Sequence, residues 1–307
     1  MMEVKMPGTV LILGGNGKIG HHSAKAFADA GWRVRRYERG TDMTAAAMGS
    51  DVIVNGLNPP NYHNWTKLIP EITEQVIAAA KASGASVILP GNVYNFGDAG
   101  GIWSEDTPQR PVSRKGLIRI QMEARYRDSG VQTIVLRAGN FIDPDGNGDI
   151  MQLFVLRNIA KGRITLGGGP DVMQAWCYVP DWARAAAALA GTRDSLAMFE
   201  DIPFPGHSFD MTELKHCLET HLGRSLTISR FPWGLMRLAA PFWELARELG
   251  EMRYLWETPH QLSGAKFERL LPGFQPTSQQ TVMLAGLSVA QRSLTQAAPT
   301  RPAATQP

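Results

Sequence analysis

The chain has 307 residues, 44% of them hydrophobic and 19% charged; this excludes an intrinsically disordered protein and suits two domains or one enlarged α/β unit. With 31 Lys and Arg against 28 Asp and Glu, the formal charge is +3, too small a surplus to point to nucleic acid or an anionic membrane. Two cysteines far apart, Cys177 and Cys217, exclude a disulfide framework or a CxxC metal site and make a reducing, cytoplasmic setting the expectation.

The opening MMEVKMPGTVLILGGNGKIG carries an apolar run too short and too interrupted by glycine for a signal peptide or membrane span, and no apolar stretch of about 18 residues follows. No membrane association is expected. Thr9 to Leu13 (TVLIL) reads as a parallel strand buried on both faces, followed by a glycine turn and a helix from Ile19 to Ala30 that Gly31 closes. Further strands are expected at Arg33 to Tyr37, Asp51 to Gly56, Ala85 to Pro90 and Val131 to Leu136, with helices at Trp65 to Ser83 and about Lys115 to Ser129. Alternating strands and helices predict a doubly wound parallel (Rossmann) sheet. Only 12 residues separate Glu38 from Asp51, so one βα unit is cut short there.

Beyond Leu136 the pattern loosens. The expectation is a loop and helix over 140–162, a helix from Asp181 to Ala190, a short strand near Leu196 to Phe199, a helix at Thr212 to Leu222 and a last helix near 276–287. The organisation that follows is an extension over 1–8, a dinucleotide-binding domain over 9–200 with a substrate-region insertion near 140–180, a smaller C-terminal substrate-binding region over 201–290, and a disordered tail over 291–307.

Gly14, Gly17 and Gly20 form GxxGxxG directly after the first strand. Lacking side chains, the first two let the backbone turn and approach a pyrophosphate, and the third lets helix and strand pack closely; the amides of Asn16, Lys18 and Ile19 lie in the same segment. Glu38, 18 residues beyond Gly20, stands where a carboxylate accepts both ribose hydroxyls of NAD. The adjacent Arg39, with Arg35 and Arg36 before it, leaves NADP open through a guanidinium–phosphate contact. NAD is the preferred cofactor.

These residues resemble the extended short-chain dehydrogenases/reductases, specifically their NAD-dependent epimerase/dehydratase branch. The resemblance runs from about Thr9 to Leu287 through GGNGKIG (14–20), DVIVNGLNP (51–59), ILPGNVYNFG (88–97), SEDTPQRP (104–111), LRAGNF (136–141), YVPDWARA (178–185) and LLPGFQPT (270–277). It implies an NAD(P)-binding oxidoreductase acting on a nucleotide sugar or a small carbonyl or hydroxyl compound. It also implies a homodimer through the helices at 65–83 and 115–129, and Asn58 and Pro59 close to the cofactor ribose.

The family's acid–base residues, a Ser or Thr and a YxxxK pair, are replaced: the alignment puts Pro90, Lys115 and Arg119 at those positions. Lys115 and Arg119 lie on one helical face, where the arginine charge favours a neutral lysine able to act as a base. The pair suits equally a clamp for a substrate carboxylate or phosphate, or a solvated basic helix start. Tyr94, just after the fourth strand, and Tyr126 are the alternative phenols, with Tyr94 at the carboxyl end of the sheet. Asn140, by its match to the family's RxxN, and the aromatic Trp176 and Tyr178 are substrate-binding candidates, with Trp233 and Trp243 as further lining. Loss of the usual residues also admits a catalytically silent NAD(P)-binding sensor.

No metal site is expected. Asp143 to Ile150 (DPDGNGDI) mimics half an EF-hand loop but lacks the closing Glu, having Phe154 at the twelfth position. His216 and His221, five apart, do not share a helix face, and His21 and His22 read as surface or packing residues. The segment FPWGLMRLAAPFWELARELGEMRYLW is broken by Pro232 and Pro241 and balanced by Glu244, Glu248 and Glu251, which favours a buried or lid-like helix pair over a lipid-binding helix.

Overall fold

The computed structural model describes residues 7–146 and 148–287. Most of the expected N-terminal extension, the tail over 291–307 and Asn147 of the EF-hand-like segment lie outside the described residues.

The elements run β1 (Thr9–Leu13), α1 (Lys18–Asp29), β2 (Arg33–Arg36), α2 (Met43–Ala47), β3 (Val52–Asn55), α3 (Trp65–Ser83), β4 (Ser86–Gly91), β5 (Gly101–Trp103), α4 (Arg114–Arg127), β6 (Thr133–Arg137) and β7 (Asn140–Ile142). They continue with β8 (Arg163–Leu166), β9 (Gln174–Tyr178), α5 (Val179–Gly191), β10 (Phe199–Pro203), β11 (His207–Phe209), α6 (Met211–Leu222), β12 (Thr227–Arg230), α7 (Trp233–Ala239), α8 (Glu244–Glu251), β13 (His260–Leu262), α9 (Ala265–Leu270) and α10 (Gln279–Ala285).

Six strands form one parallel sheet in the order β10-β6-β4-β3-β1-β2. The apolar run of β1 shows why: Val10 and Ile12 pack into a layer with α1 and α5, while Leu11 and Leu13 pack into the opposite layer with α3 and α4. A strand whose alternate residues are apolar on both faces is stable only between two helical layers. The short stretch after β2 holds only the five-residue α2, and β3 then pairs with the inner edge of β1. The direction of winding reverses between β1 and β3, which opens a crevice at their carboxyl ends.

The later chain departs from expectation. Residues 140–162 hold no full helix: β7 is followed by a single π-helical turn, Met151–Val155, and a 3-10 turn at Ile159–Lys161. The expected strand near 196–199 lies at Phe199–Pro203, where it extends the main sheet beside β6. The aromatic segment does form a helix pair, but α7 buries none of its residues, and Leu235, Leu238 and Phe242 are exposed. The second helix of the pair, α8, instead buries Ala246 and Glu248. A third apolar cluster joins the π-turn, β8, β9, α6 and α10, and small sheets β11-β9-β7, β12-β8 and β13-β5 knit this region together. No helix of the described residues is long and apolar enough to cross a membrane. Cys177 and Cys217 are both unpaired.

Candidate active site at the carboxyl end of the sheet

The glycine turn is shaped by contacts that no side chain would permit. Gly14 has φ +74°, and a Cβ there would lie 2.9 Å from the Gly56 carbonyl oxygen, while one on Gly20 would lie 2.3 Å from the Gly14 oxygen. The Gly17 amide donates to the Gly14 carbonyl at 2.9 Å, and Gly17 caps α1 without any side-chain hydrogen bond. The first-turn amides of α1 have no intrahelical acceptor, and that turn carries no acidic residue. A bare backbone cradle with free donors at a helix N-terminus fits a pyrophosphate. Asn16 and Gly17 are exposed at its rim, whereas Ile19 is core. Lys18 turns away: its Nζ donates to the Gly148 carbonyl at 3.2 Å, leaving only its amide to the cradle. Glu38 and Arg39 are exposed beyond β2, and the aliphatic stem of Arg36 lies 3.5 Å from where a Gly15 Cβ would stand.

On the other side of the crevice, Asn55 ends β3, accepting from the Leu57 amide and donating to the Tyr126 hydroxyl at 3.2 Å. Tyr126 is completely buried, which raises its pKa and makes it a packing phenol. Pro59 is buried, and the exposed Asn58 accepts from Arg119 at 3.2 Å. The guanidinium of Arg119 also lies over the Trp65 ring at 4.8 Å.

Lys115, expected as a general base, a substrate clamp or part of a solvated basic helix start, stands in the first turn of α4. Its side chain is fully buried, and its Nζ donates to a carboxylate oxygen and the carbonyl of Glu248 and to Glu251 Oε2 at 2.8 Å. All three ammonium donors are spent on α8. Arg114 adds hydrogen bonds of 2.8 and 3.0 Å to the same Glu248. These two carboxylates lie 133 and 136 residues away in the chain, beyond the reach of helical spacing.

Tyr94 begins a 3-10 turn after β4. That turn is fixed from below: the Arg137 guanidinium, completely buried, donates to the Asn92 carbonyl at 2.7 Å and to both Glu123 and Asp201, and Asn95 donates to Glu123. The Tyr94 hydroxyl lies 3.2 Å from that of Tyr62, a residue that sequence reasoning overlooked. Tyr62 stands in a segment where Asn61, Tyr62 and Asn64 adopt φ of +53°, +60° and +45°, a conformation costly for an aromatic residue and typical of functional sites. Tyr62 lines a cavity of about 230 Å³ with His63, Trp65, Arg114 and Glu248, and Lys115 Nζ is 5.1 Å from its ring centre. Burial raises the Tyr94 pKa, partly offset by its hydrogen bond to Tyr62 and by the Arg119 charge. The neighbouring Tyr94 and burial raise that of Tyr62 further.

The other substrate candidates separate. Asn140, partly buried, donates to Gln174 at 3.4 Å across β7 and β9. Tyr178 is partly exposed at the head of α5. Trp176 is completely buried, stacks on Phe209 at 5.2 Å, donates its indole N–H to the Phe209 carbonyl and packs in the third apolar cluster. His21, half exposed, and His22, buried, meet Asp143 and Asp145 from the loop after β7.

No protein-family model matches the chain, and no match is found among curated proteins. Solved structures do match. MoeE5 in complex with UDP-glucose and NAD superimposes with a TM-score of 0.72 at 14% identity, over 94% of this chain and 100% of that one. UDP-glucuronic acid 4-epimerase from Bacillus cereus, in complex with UDP-glucuronic acid and NAD, gives 0.71 at 15% identity, over 94% and 99%. The dTDP-glucose 4,6-dehydratase DesIV from Streptomyces venezuelae gives 0.66 at 18%, over 90% and 94%. The chain therefore has the Rossmann-type fold of the NAD-dependent nucleotide-sugar epimerases and dehydratases.

Proposed function

We propose that the chain binds NAD at the carboxyl ends of β1 and β3 and acts as an epimerase/dehydratase- or reductase-like oxidoreductase on a nucleotide sugar or a small carbonyl or hydroxyl compound. The observation that carries this reading is the Gly14–Gly20–Gly56 cradle, in which added Cβ atoms would meet backbone at 2.3–2.9 Å. Solved neighbours with this fold hold NAD beside UDP- or TDP-type ligands. In this reading the backbone of Gly14, Asn16, Gly17, Lys18, Ile19 and Gly20 holds the pyrophosphate. Glu38 accepts the ribose hydroxyls, flanked by Arg39, and Asn58 and Pro59 border the ribose. NAD, when bound, accepts or returns a hydride.

The chain's own contribution to chemistry is proton transfer and positioning. Tyr94 moves a proton at the substrate oxygen, and Tyr62 restores it from the solvent-facing cavity that its ring lines. Arg119 supplies the positive charge that favours a transient Tyr94 phenolate. Asn140 and Tyr178 hold the substrate. Lys115 is a positioning residue: it fixes α8 against the segment that carries Tyr62. A homodimer through the outward faces of α3 and α4, in a cytoplasmic setting, belongs to the same reading, and a monomeric mass by light scattering would remove the dimer.

The test is NADH-linked absorbance across a panel of nucleotide sugars and small carbonyls. Turnover that Tyr94→Phe lowers about 10²-fold, with NADH affinity unchanged, is expected. NADH binding without turnover across the panel would favour a silent sensor instead.

A further inference from the structure

We propose that His21, His22, Asp143 and Asp145 form a binding site for a divalent transition-metal ion that joins α1 to the loop after β7. Two residues come from the second turn of the glycine-loop helix and two from a segment more than 120 positions later. His21 Nε2 and His22 Nε2 converge on one oxygen, Asp145 Oδ2, at 3.3 and 3.5 Å. His22 Nε2 also lies 2.9 Å from Asp143 Oδ1. The ligand atoms of His21, His22 and Asp145 all fall within 4.8 Å of one another.

Four ligand atoms at about 2.0–2.1 Å around a tetrahedral ion stand about 3.3 Å apart. The two imidazole-to-Asp145 distances already match that edge, and the His22–Asp143 distance is shorter than it by a few tenths of an ångström. Two imidazoles aimed at one carboxylate oxygen suit a cation better than protons. The two rings, 5.2 Å apart between centres, both present Nε2 to that oxygen. A divalent ion accepts both rings in their neutral form and both carboxylates as anions. The N₂O₂ donor set selects zinc, cobalt, nickel or copper over calcium and magnesium.

The site is half built in. His22 and Asp143 are buried, and the loop that carries Asp143 is held by the Asp143 amide donating to Asp149 at 2.6 Å and Gln152 donating to the Asp143 carbonyl at 2.9 Å. His21 and Asp145 are half exposed, which leaves an entry path and room for the remaining adjustment. An ion here acts as a staple, adding to the Lys18–Gly148 hydrogen bond that already joins the same helix start and loop. It sits beside the glycine cradle and does not depend on what that cradle binds.

The experiment is titration of tag-free protein with Co²⁺, read by its visible ligand-field absorption, and with Zn²⁺, read by calorimetry and thermal unfolding. His21→Gln and Asp145→Asn are the test variants, because both positions are half exposed and their loss leaves the buried His22–Asp143 pair intact. The expected result is one ion per chain with tetrahedral cobalt absorption, a higher unfolding midpoint with Zn²⁺, and at least about tenfold weaker binding in each variant. Absence of cobalt absorption in the wild type overturns the proposal. So does binding that the His21→Gln/Asp145→Asn double variant leaves unchanged, since it would place the ion on other histidines.

Discussion

Replacing Lys115 with methionine keeps the length and packing of a completely buried side chain and removes its charge. Glu248, 2% exposed, would then keep only Arg114 and Arg247, both half exposed, and Glu251 would lose its 2.8 Å partner. Breaking a buried ion pair by removing one partner costs about 3–5 kcal/mol; because the Arg114–Glu248 hydrogen bonds survive, the expected loss for Lys115→Met is about 3 kcal/mol, at the lower end of that range. Urea unfolding followed by circular dichroism measures it. The double variant Lys115→Met/Glu248→Leu removes both buried charges and should recover most of the loss, so the cycle reports a coupling of opposite sign to the single effect. NADH affinity should change little. A Lys115→Met protein that unfolds at the wild-type urea concentration but loses turnover would refute this reasoning and restore Lys115 as the base.

Acid should weaken the same network. Burial raises the Glu248 pKa, but hydrogen bonds from Lys115 and Arg114 outweigh it and hold the carboxyl below the ordinary glutamate value. A depressed folded-state pKa adds stability above the unfolded value of about 4.3 that is lost as pH falls through the folded one. Glu248→Gln should therefore flatten the fall in urea midpoint below about pH 4.3; an unaltered slope would assign that fall to other carboxylates. Gly20→Ala puts a methyl group 2.3 Å from a backbone oxygen and 2.8 Å from the Gly15 Cα. It should lower the unfolding midpoint and weaken NADH binding together, as followed by nucleotide fluorescence. Wild-type NADH affinity in that variant would mean that the turn is not the binding surface. Tyr62→Phe should keep fold and NADH affinity while shifting the pH profile of turnover. An unchanged profile would remove Tyr62 from proton transfer.

The sheet was legible because its strands carry their own signature. Val10–Leu13, Val52–Val54 and Val87–Leu89 are apolar at every position, and a run with no polar face fits only a strand covered on both sides. The glycine cradle was legible for the same local reason, with all its determinants within seven residues and one later glycine. What escaped notice was non-local. The expectation for Lys115 came from the family alignment and its neighbour Arg119 four positions on, while its hydrogen-bond partners arrive from α8. Tyr62 carries no periodic signal, since its position depends on three residues with positive φ in a loop. The three-residue strands β5, β7, β11 and β13 are too short for an alternating pattern and exist because neighbouring elements pair with them. His21 and His22 read as surface or packing residues because Asp143 and Asp145, which meet them, lie more than 120 positions further along the chain.

The central claim is that the cradle holds a dinucleotide. Calorimetric titration of the purified protein with NAD, NADH and NADPH, each repeated on Gly20→Ala, tests it most directly. The account predicts one NADH per chain, tighter than NADPH because of Glu38, with binding lost in the variant. No binding of any of the three, or equal binding by wild type and variant, would contradict it.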